Sequence, residues 1–435
     1  MSTGGLLERC GDISVIGFGT TGRAVVDYLA GEDIELFVSE NNKIPPALKD
    51  DLNNRGIEFE ENGNTEKVLA SDLIVLSPGV PPNRGIAKKA RKLGVTTIGE
   101  IELAYRLSPT ERIIGVTGTN GKSTTVNLIN ELLTARGTSS VACGNIGTPF
   151  ISVLQSLEPT DVAVVEVSSY QLQTTENFKP RVAVLTNLEP DHLGRHGSFE
   201  EYRDTKLRLF RNQDEKCYSV INEKLMPEIS IQNIKPAVVE FHPAEPEELD
   251  LMPHQKENVG AALAAADCIL EQPGSDSVPV EPVARGLELP HRLEPVNKIN
   301  DVEFVNDSKA TNPAATRAAV EGFSRPLRLL LGGKQKSSGY RKLIEGLEAH
   351  PIRKVYLFGS ARPKLAETFR SVSFVKFDTF SSLEGAVTEA FEDAERGEVV
   401  LLSPGCSSFD SFSNFEERGR KFREIVDGLV DCNNP

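Results

Sequence analysis

The segment from position 118 to position 124 has the composition of a phosphate-binding loop. It consists of Gly118, Thr119, Asn120, Gly121, Lys122, Ser123 and Thr124, and it lies between the apolar run RIIGVTG and a helical pattern. In such a loop, backbone N–H groups surround phosphate oxygens, the lysine neutralises their charge and a hydroxyl reaches Mg²⁺. Position 116 is Val, where the common form of the motif has glycine. We therefore expect a short form of this loop that binds ATP phosphates and Mg²⁺.

A second glycine-rich turn, GFGTTG at positions 17–22, follows a strand-like run and precedes a helical pattern. Glycines there let the backbone approach a diphosphate at the start of the helix. Glu40 ends the next predicted strand, 18 residues after Gly22, where a ribose-binding acid would lie. Taken alone, this pattern indicates NAD, but the residues leave open whether the ligand is NAD or another nucleotide.

Three polar residues follow apolar runs of the same region. Glu166 ends one predicted strand, and Asp191 and His192 follow another. Ligands gather beyond the carboxyl ends of parallel strands, so we expect these side chains near the phosphate loop, where they can ligate Mg²⁺. His196 lies four residues after His192, but Gly194 argues against a helix there and therefore against a two-histidine zinc site.

The last third of the chain contains three polar segments at predicted strand ends. They are NDSKATN at 306–312, GGKQK at 332–336 and SPGCSS at 403–408. Together they predict a second small-molecule cleft, in which lysines balance anionic groups.

Strands alternate with helices along the whole chain, and this alternation predicts parallel α/β units. The pattern restarts near position 108 and again near position 290. We therefore expect three α/β domains in series: a Rossmann-like domain at 1–107, a central ATPase-like domain with a phosphate loop at 108–289 and a C-terminal Rossmann-like domain at 290–435. The segment EQPGSDSVPVEP at 271–282 predicts a surface loop or a weak helix start.

The composition is that of an ordinary globular protein. Of 435 residues, 39% are hydrophobic and 26% charged, which excludes a disordered, collagen-like or coiled-coil chain. The net charge of −15 opposes binding to nucleic acid or anionic membrane. Six scattered cysteines without a C-x-x-C pair predict reduced thiols rather than disulfides or zinc. Because no apolar run suits a membrane span or a signal peptide, we expect a cytoplasmic protein.

Together these motifs resemble the Mur ligases, a family of ATP-dependent amide-forming enzymes of peptidoglycan synthesis. The matching segments lie between Gly17 and Phe415 and include TGTNGKST, SPGV, CGNIGTPF, VVEVSSYQLQ, TNLEPDHLGRHGSFEEY, PHRLE, NDSKATN and SPGCSSFDSFSNFEERG. The shorter phosphate loop of this family accounts for Val116. The first domain is similar to that of the branch that adds D-glutamate.

The resemblance implies a role for each matching residue. It assigns the UDP part of a substrate to Gly17, Thr20, Thr21, Ser77, Pro78 and Gly79, and the sugar or pyrophosphate to Asn145 and Ser168. It assigns ATP to residues 118–124 with Asn258, Arg292 and Asp307, and Mg²⁺ to Ser123, Glu166, His192 and Lys206 as a carbamylated lysine. It assigns D-glutamate to Lys309, Thr311, Lys336, Ser408 and Phe415. Lys122, Lys206 and His192 form the implied catalytic set, and Lys206 lies on a predicted helix.

The implied reaction joins UDP-MurNAc-L-Ala to D-glutamate through an acyl phosphate made from ATP. These small molecules are the implied partners of a monomer that binds neither nucleic acid nor membrane. Three departures leave details open. Ser39 and Glu40 replace an Asp-Thr pair, HQKEN replaces the usual His-Asn pair before Asn258, and GGKQK leaves the choice between Lys334 and Lys336.

Three other interpretations stay open at this point. The chain could act on another amino acid or on a folate-like acceptor within the same superfamily. The GFGTTG turn alone would suit an NAD-dependent dehydrogenase, and the phosphate loop alone a nucleotide-hydrolysing switch. The base that deprotonates the attacking amine has no signal in the sequence.

Overall fold

The computed structural model describes residues 6–227, 229, 236–272, 277–335, 339–372 and 376–431. These residues form three β-sheets, and the strands of each sheet alternate with helices along the chain. This confirms the predicted α/β class. They divide into two compact units. The first comprises Met1–Asn187, Arg203–Pro246 and Glu257–Val283, and the second comprises Leu188–Tyr202, Glu247–Lys256 and Ala284–Pro435. No helix in the described part of the chain has the length and apolar character that a bilayer crossing requires.

The first unit begins with a parallel sheet of five strands in the order β3-β2-β1-β4-β5. Its strands are β1 (Asp12–Ile16), β2 (Glu35–Ser39), β3 (Glu58–Glu60), β4 (Leu73–Leu76) and β5 (Thr96–Gly99). The helices between and after them are α1 (Thr20–Leu29), α2 (Pro46–Asn54), α3 (Gly85–Lys92) and α4 (Glu100–Leu107). Strand β4 is wholly apolar and buried, and β1 is buried after the exposed Asp12, as expected for central strands covered on both faces.

The second sheet of this unit has six parallel strands in the order β11-β10-β9-β6-β8-β7. They are β6 (Ile113–Thr117), β7 (Ser140–Gly144), β8 (Val162–Glu166), β9 (Val182–Leu185), β10 (Tyr218–Asn222) and β11 (Ala237–Phe241). Helix α5 (Lys122–Ala135) follows β6, and α6 (Phe150–Val153) and α7 (Ser169–Leu172) follow β7 and β8. Further helices are α8 (Leu193–His196), α9 (Phe199–Leu207), α10 (Pro253–Leu270) and α11 (Val280–Leu287). Because β8 and β9 flank β6 on opposite sides, the loop after β6 lies at the point where ligands bind in such sheets.

The sheet of the second unit has the order β12-β13-β17-β14-β15-β16, and β12 runs antiparallel to β13. Its strands are β12 (Glu294–Ile299), β13 (Val302–Asn306), β14 (Leu327–Gly332), β15 (Ile352–Phe358), β16 (Phe377–Thr379) and β17 (Val399–Gly405). Its helices are α12 (Pro313–Glu321), α13 (Tyr340–Leu347), α14 (Arg362–Ser371), α15 (Leu383–Glu392) and α16 (Phe415–Asp431). Leu329 and Leu330 of β14 join separate apolar clusters, so helices cover both faces of this sheet.

The structure corrects one local prediction. A helix was not expected around Gly194, yet Leu193–His196 forms a single helical turn, α8. The N–H groups of Arg195 and His196 both bond to the His192 carbonyl, and Gly197 in a left-handed conformation ends the turn. One turn tolerates a glycine because few backbone angles are fixed there. Of the segment 271–282, residues 273–276 lie outside the described residues, and α11 starts at Val280.

Candidate active site

The phosphate loop adopts the tight turn that its glycines permit. Gly121 has a φ of 82° and caps the N-terminus of α5, which no side chain caps. A Cβ atom on Gly121 would lie 2.2 Å from Asn258 Oδ1, and one on Gly118 would lie 1.9 Å from Thr186 Oγ1. The loop therefore packs too closely for any other residue at these two positions. The start of α5 is left as an anion-binding end of a 14-residue helix.

Two lysines donate to the same carbonyl group of this loop, Lys122 from within the loop and Lys206 from α9. Lys122 Nζ donates to the carbonyl oxygens of Gly118 and Thr119 at 2.9 and 2.8 Å. Lys206, on α9 as predicted, donates from Nζ to the same Gly118 carbonyl at 2.7 Å and is only 1% exposed. Two cations that share one buried carbonyl repel each other, so an anion at this point stabilises the pair. The geometry suits phosphate oxygens.

The end of β8 brings a carboxylate to the first turn of α5. The Ser123 hydroxyl donates to Glu166 Oε2 at 2.6 Å, and the Asn145 amide donates to Glu166 Oε1 at 2.9 Å. Hydroxyl and carboxylate oxygens are the ligands that Mg²⁺ prefers, and Mg²⁺ takes few of them when phosphates and waters complete its shell. Among the described residues, no three His, Cys, Asp or Glu side chains are arranged to hold a metal by themselves. The Ser123 and Glu166 oxygens fit a Mg²⁺ ion that also binds phosphate.

The GFGTTG turn lies against the SPGV turn at the carboxyl edge of the first sheet. A Cβ on Gly22 would lie 2.0 Å from the Gly17 carbonyl oxygen, so this close approach requires glycine. The Ser77 hydroxyl donates to the same carbonyl at 2.7 Å. Thr20 and Thr21 begin α1, and Pro78 and Gly79 lie in the turn closed by a bond from the Val80 N–H to the Ser77 carbonyl. The residues expected to hold UDP are thus neighbours at one sheet edge.

The Glu40 carboxylate accepts hydrogen bonds from two backbone N–H groups. Its Oε2 accepts the Phe18 N–H at 2.6 Å, and its Oε1 accepts the Asn42 N–H at 2.9 Å. This carboxylate therefore braces the glycine-rich turn. Ser39 is fully buried and donates to Glu60 and Asn64, so its hydroxyl faces the protein interior.

In the second unit, Asp307 follows the last residue of β13 and is fully buried. Its carboxylate accepts from Arg292 at 3.4 Å and from the Ser403 hydroxyl at 2.8 Å. Burial raises the pKa of Asp307. The residues on either side of Arg292, His291 and Leu293, both have positive φ, of 62° and 47°. Such conformations cost free energy in non-glycine residues and recur where a side chain must be aimed.

The described residues expected to hold D-glutamate lie in the second unit, on the loop after β13, on the loop after β17 and at the start of α16. Lys309 Nζ is 5.5 Å from the centre of the Phe415 ring, and that ring meets His291 edge-on. Thr311 is half-buried and Ser408 is buried. Lys336 lies outside the described residues, while Lys334 exchanges backbone hydrogen bonds with Ser407. The choice between the two lysines stays a prediction.

Arg418, which sequence reasoning missed, connects two of these loops. Its guanidinium donates to the Ser308 hydroxyl at 3.0 Å, to the Ser308 carbonyl at 2.8 Å and to the Cys406 carbonyl at 3.0 Å. Arg418 is fully buried, and burial lowers its pKa to about 10. The only signal was an arginine inside the FEERG segment, which contains two glutamates that would suggest a surface ion pair instead.

Asp191 and His192 belong to the second unit. His192 has a φ of 54°, and Asp191 Oδ1 accepts the His192 N–H at 2.7 Å. The other oxygen of Asp191 accepts from the Asn312 amide at 3.2 Å, and Asn312 also caps α12. Within this unit the DH pair is therefore held by the NDSKATN segment.

Asn258 and Ser168 complete the predicted set in the first unit. Asn258 is buried in α10, and the Thr125 hydroxyl lies 3.4 Å from its Oδ1. Ser168 caps α7 and forms a capping box with Gln171. Asn258 thus lies beside the phosphate loop, and Ser168 follows Glu166 by two residues.

Three family models match the chain in sequence. The MurD N-terminal domain matches residues 12–86, the Mur ligase middle domain residues 116–260, and the Mur ligase glutamate ligase domain residues 291–406. Together they contain both glycine-rich loops and the NDSKATN segment.

Curated relatives match over nearly the full length. The UDP-N-acetylmuramoylalanine–D-glutamate ligase of Caldicellulosiruptor bescii is 34% identical, with 96% of this chain and 98% of the relative covered. That of Koribacter versatilis is 36% identical with the same coverage. Among solved structures, the MurF ligase of Thermotoga maritima in complex with ADP shares the fold, with a TM-score of 0.61, 17% identity and 96% of each chain covered. The chain therefore belongs to the Mur ligase family, as its motifs indicated.

Proposed function

We propose that this protein joins D-glutamate to UDP-N-acetylmuramoyl-L-alanine, with cleavage of ATP to ADP and phosphate. The observation that carries the proposal is the convergence of Lys122, Lys206 and the Ser123–Glu166 pair on one loop, in a chain whose relatives bear the name of this ligase. The proposed partners are small molecules, and the enzyme would act as a monomer. The need for ATP is the reason for expecting a cytoplasmic enzyme.

The proposed division of labour follows the three sheets. Residues 1–107 would bind UDP, residues 108–289 ATP, and residues 290–435 D-glutamate. Support for the first assignment comes from the joined GFGTTG and SPGV turns, and support for the second from the phosphate loop. Lys309 near Phe415 offers a cation beside an aromatic ring, which suits an amino-acid carboxylate in the third.

The residues proposed to hold ATP and Mg²⁺ would neutralise charge during phosphoryl transfer. Lys122 and the N–H groups that open α5 would hold the phosphates of ATP. Ser123 and Glu166, with His192, would hold Mg²⁺, which when bound supplies charge neutralisation for the transferred phosphoryl group. Carbamylation of Lys206 would turn a cation into an anion and so relieve its repulsion with Lys122. Asn258, Arg292 and Asp307 would hold the nucleoside.

The proposed reaction has two steps, formation of an acyl phosphate and formation of the amide. First, a carboxylate oxygen of the L-alanyl group attacks the γ-phosphorus of ATP, and the bond to ADP breaks, which gives an acyl phosphate. The neutral amine of D-glutamate then attacks the acyl carbon, loses a proton, and phosphate leaves from the tetrahedral intermediate. The protein's contribution is positioning, charge neutralisation and exclusion of water from the acyl phosphate.

Phosphate release tests this proposal directly. Purified protein is given ATP, Mg²⁺ and UDP-MurNAc-L-Ala, together with D-glutamate, L-glutamate or no amino acid. We expect release that depends on D-glutamate, with an amide product of matching amount. Release without any amino acid would indicate a nucleotide-hydrolysing switch, and release with another amino acid would indicate a different ligase.

Two variants separate the loop from the rest of the protein. Lys122→Ala should lower turnover about 100-fold or more, because one preorganised charge is lost at the transferred phosphoryl group. Lys88→Ala, at an exposed position of α3, removes the same charge and should leave turnover unchanged. Near-normal turnover in Lys122→Ala would overturn the assignment.

A further inference from the structure

Helix α4 carries two buried carboxylates that reach into loops of the neighbouring sheet. Glu100 and Glu102 are 2% and 0% exposed and stand at the start of the helix. Glu100 accepts the Ile151 N–H at 2.8 Å, and it also accepts the Phe150 N–H. Helix α6 has no side-chain cap of its own. Glu100 therefore supplies from α4 the capping group that α6 lacks.

Glu102 makes the equivalent contact with a second loop. Its carboxylate accepts the successive N–H groups of Glu176, Asn177 and Phe178 at 2.8 to 3.0 Å. Arg106 donates to it at 2.7 Å and balances its charge. The N–H of Gly99, the residue before α4, also bonds to the carbonyl of Thr174 at 3.2 Å, four residues before Phe178.

The loops held in this way begin at the candidate active site. One comprises residues 144–149, from the end of β7 to the residue before α6, and contains Asn145. The other segment runs from Glu166 to Phe178 and includes α7. At their near ends, Asn145 donates to Glu166 at 2.9 Å. Helix α4 thus fixes the far ends of two loops whose near ends meet at the proposed Mg²⁺ ligand.

Arg106 pairs with Glu102, whereas no cation among the described residues pairs with Glu100. Its Oε2 is buried and has no hydrogen-bond partner among the described residues, and burial raises its pKa to about 7. Burial, together with the nearby Glu100 carboxyl group, raises the pKa of the Cys143 thiol of β7. A buried carboxyl group of this kind costs stability, so packing alone does not favour it.

We propose that Glu100 is a positioning residue, which holds the 144–149 loop so that Asn145 meets the sugar or pyrophosphate of the UDP substrate. The inference rests on the proposed function, because it assigns that substrate to the loop. It makes α4 the element that anchors both segments leading away from the Asn145–Glu166 contact. Glu100 need not touch any substrate.

The test compares Glu100→Ala and Glu100→Gln by steady-state kinetics. We expect Glu100→Ala to raise KM for UDP-MurNAc-L-Ala about tenfold and KM for ATP less than about twofold, since only one loop loses its anchor. Glu100→Gln keeps an oxygen for the Ile151 N–H and should restore KM to within about threefold. Asp72→Asn is the control, because Asp72 also accepts a backbone N–H, that of Gly11 at 2.8 Å, at an exposed place away from α4.

Hydrogen exchange of the Phe150 and Ile151 amides adds a readout that needs no activity. We expect faster exchange in Glu100→Ala and wild-type protection in Glu100→Gln. A wild-type protein without D-glutamate-dependent turnover would overturn the proposed function, while exchange would still report on the cap. Unchanged KM in Glu100→Ala, or equal changes in both KM values, would overturn the positioning role. If Glu100→Ala does not fold, Glu100→Asp, whose carboxylate is one methylene shorter, replaces it in both measurements.

Discussion

The Ser123 hydroxyl in the first turn of α5 donates a 2.6 Å hydrogen bond to the Glu166 carboxylate at the end of β8. These residues are 43 positions apart and come from adjacent parallel strands and their loops. Their contact places a carboxylate oxygen of Glu166 beside the phosphate loop, which also contains Lys122. The pair therefore couples the phosphate loop to the neighbouring strand.

Glu166→Gln tests whether this carboxylate holds a cation. The amide keeps its size and can still bond to Ser123 and to Asn145, but it lacks the negative charge that Mg²⁺ requires. We expect turnover to fall about 100-fold and the Mg²⁺ concentration for half-maximal activity to rise, with the melting temperature changed by only a few degrees. Equal Mg²⁺ dependence in both proteins would argue against the assignment.

Lys206→Ala tests the carbamate. The buried ammonium beside Gly118 would be lost, and with it the anion that CO₂ would create on this nitrogen. We expect an inactive protein that partly recovers when short carboxylates such as formate or acetate are added. Lys216→Ala, at an exposed site, should remain active and unaffected by them. Full activity of Lys206→Ala without added carboxylate would contradict the carbamate.

Arg418→Lys tests the connection between the NDSKATN and SPGCSS segments. An ammonium cannot reproduce three donor directions, so the Ser308 and Cys406 carbonyls would lose partners in a buried place. We expect the free energy of unfolding to fall by about 3 kcal/mol, measured in urea. Arg420→Lys, exposed on the same helix, should change it by less than about 0.5 kcal/mol. An unchanged urea midpoint in Arg418→Lys would mean that the buried network contributes little.

The apolar strands and the glycine-rich loops could be predicted from the sequence because each is defined by neighbouring residues. VAVVE and LRLLLG are short, mostly apolar runs, and GTNGKST is a local pattern. Short edge strands such as β3 and β16, of three residues each, carry charged or polar residues and show no such run. The antiparallel β12, with the sequence EPVNKI, was also not predicted, because polar residues interrupt its apolar ones.

Long-range polar contacts could not be predicted, because they depend on which loops the fold brings together. Nothing near Glu100 in the sequence indicates that it caps α6, 50 residues later. Nor does the sequence indicate that Glu40 accepts the N–H of Phe18, 22 positions earlier. Helix α8 formed despite Gly194, because a single turn requires little intrinsic propensity.

His254 gives a prediction on the pH dependence of stability. Burial, with the nearby Arg292 charge, lowers the pKa of His254 from 6.5 to about 3. Below pH 6.5 the unfolded chain therefore binds a proton that the folded chain refuses until about pH 3. The stability that neutral His254 provides is present above pH 6.5 and is lost as the pH falls through this window, with a slope of at most about 1.4 kcal/mol per pH unit.

His254→Gln removes this titration. We expect the wild-type protein to lose about 2 kcal/mol more than the variant between pH 6.5 and pH 5, as measured by urea unfolding at each pH. The comparison uses the change with pH, so any uniform effect of glutamine on packing cancels. His242→Gln, at an exposed position, is the control and should retain the wild-type pH dependence. Parallel stability curves for wild type and His254→Gln would show that His254 takes up its proton equally well in both states, and that the Arg292 charge does not act on it.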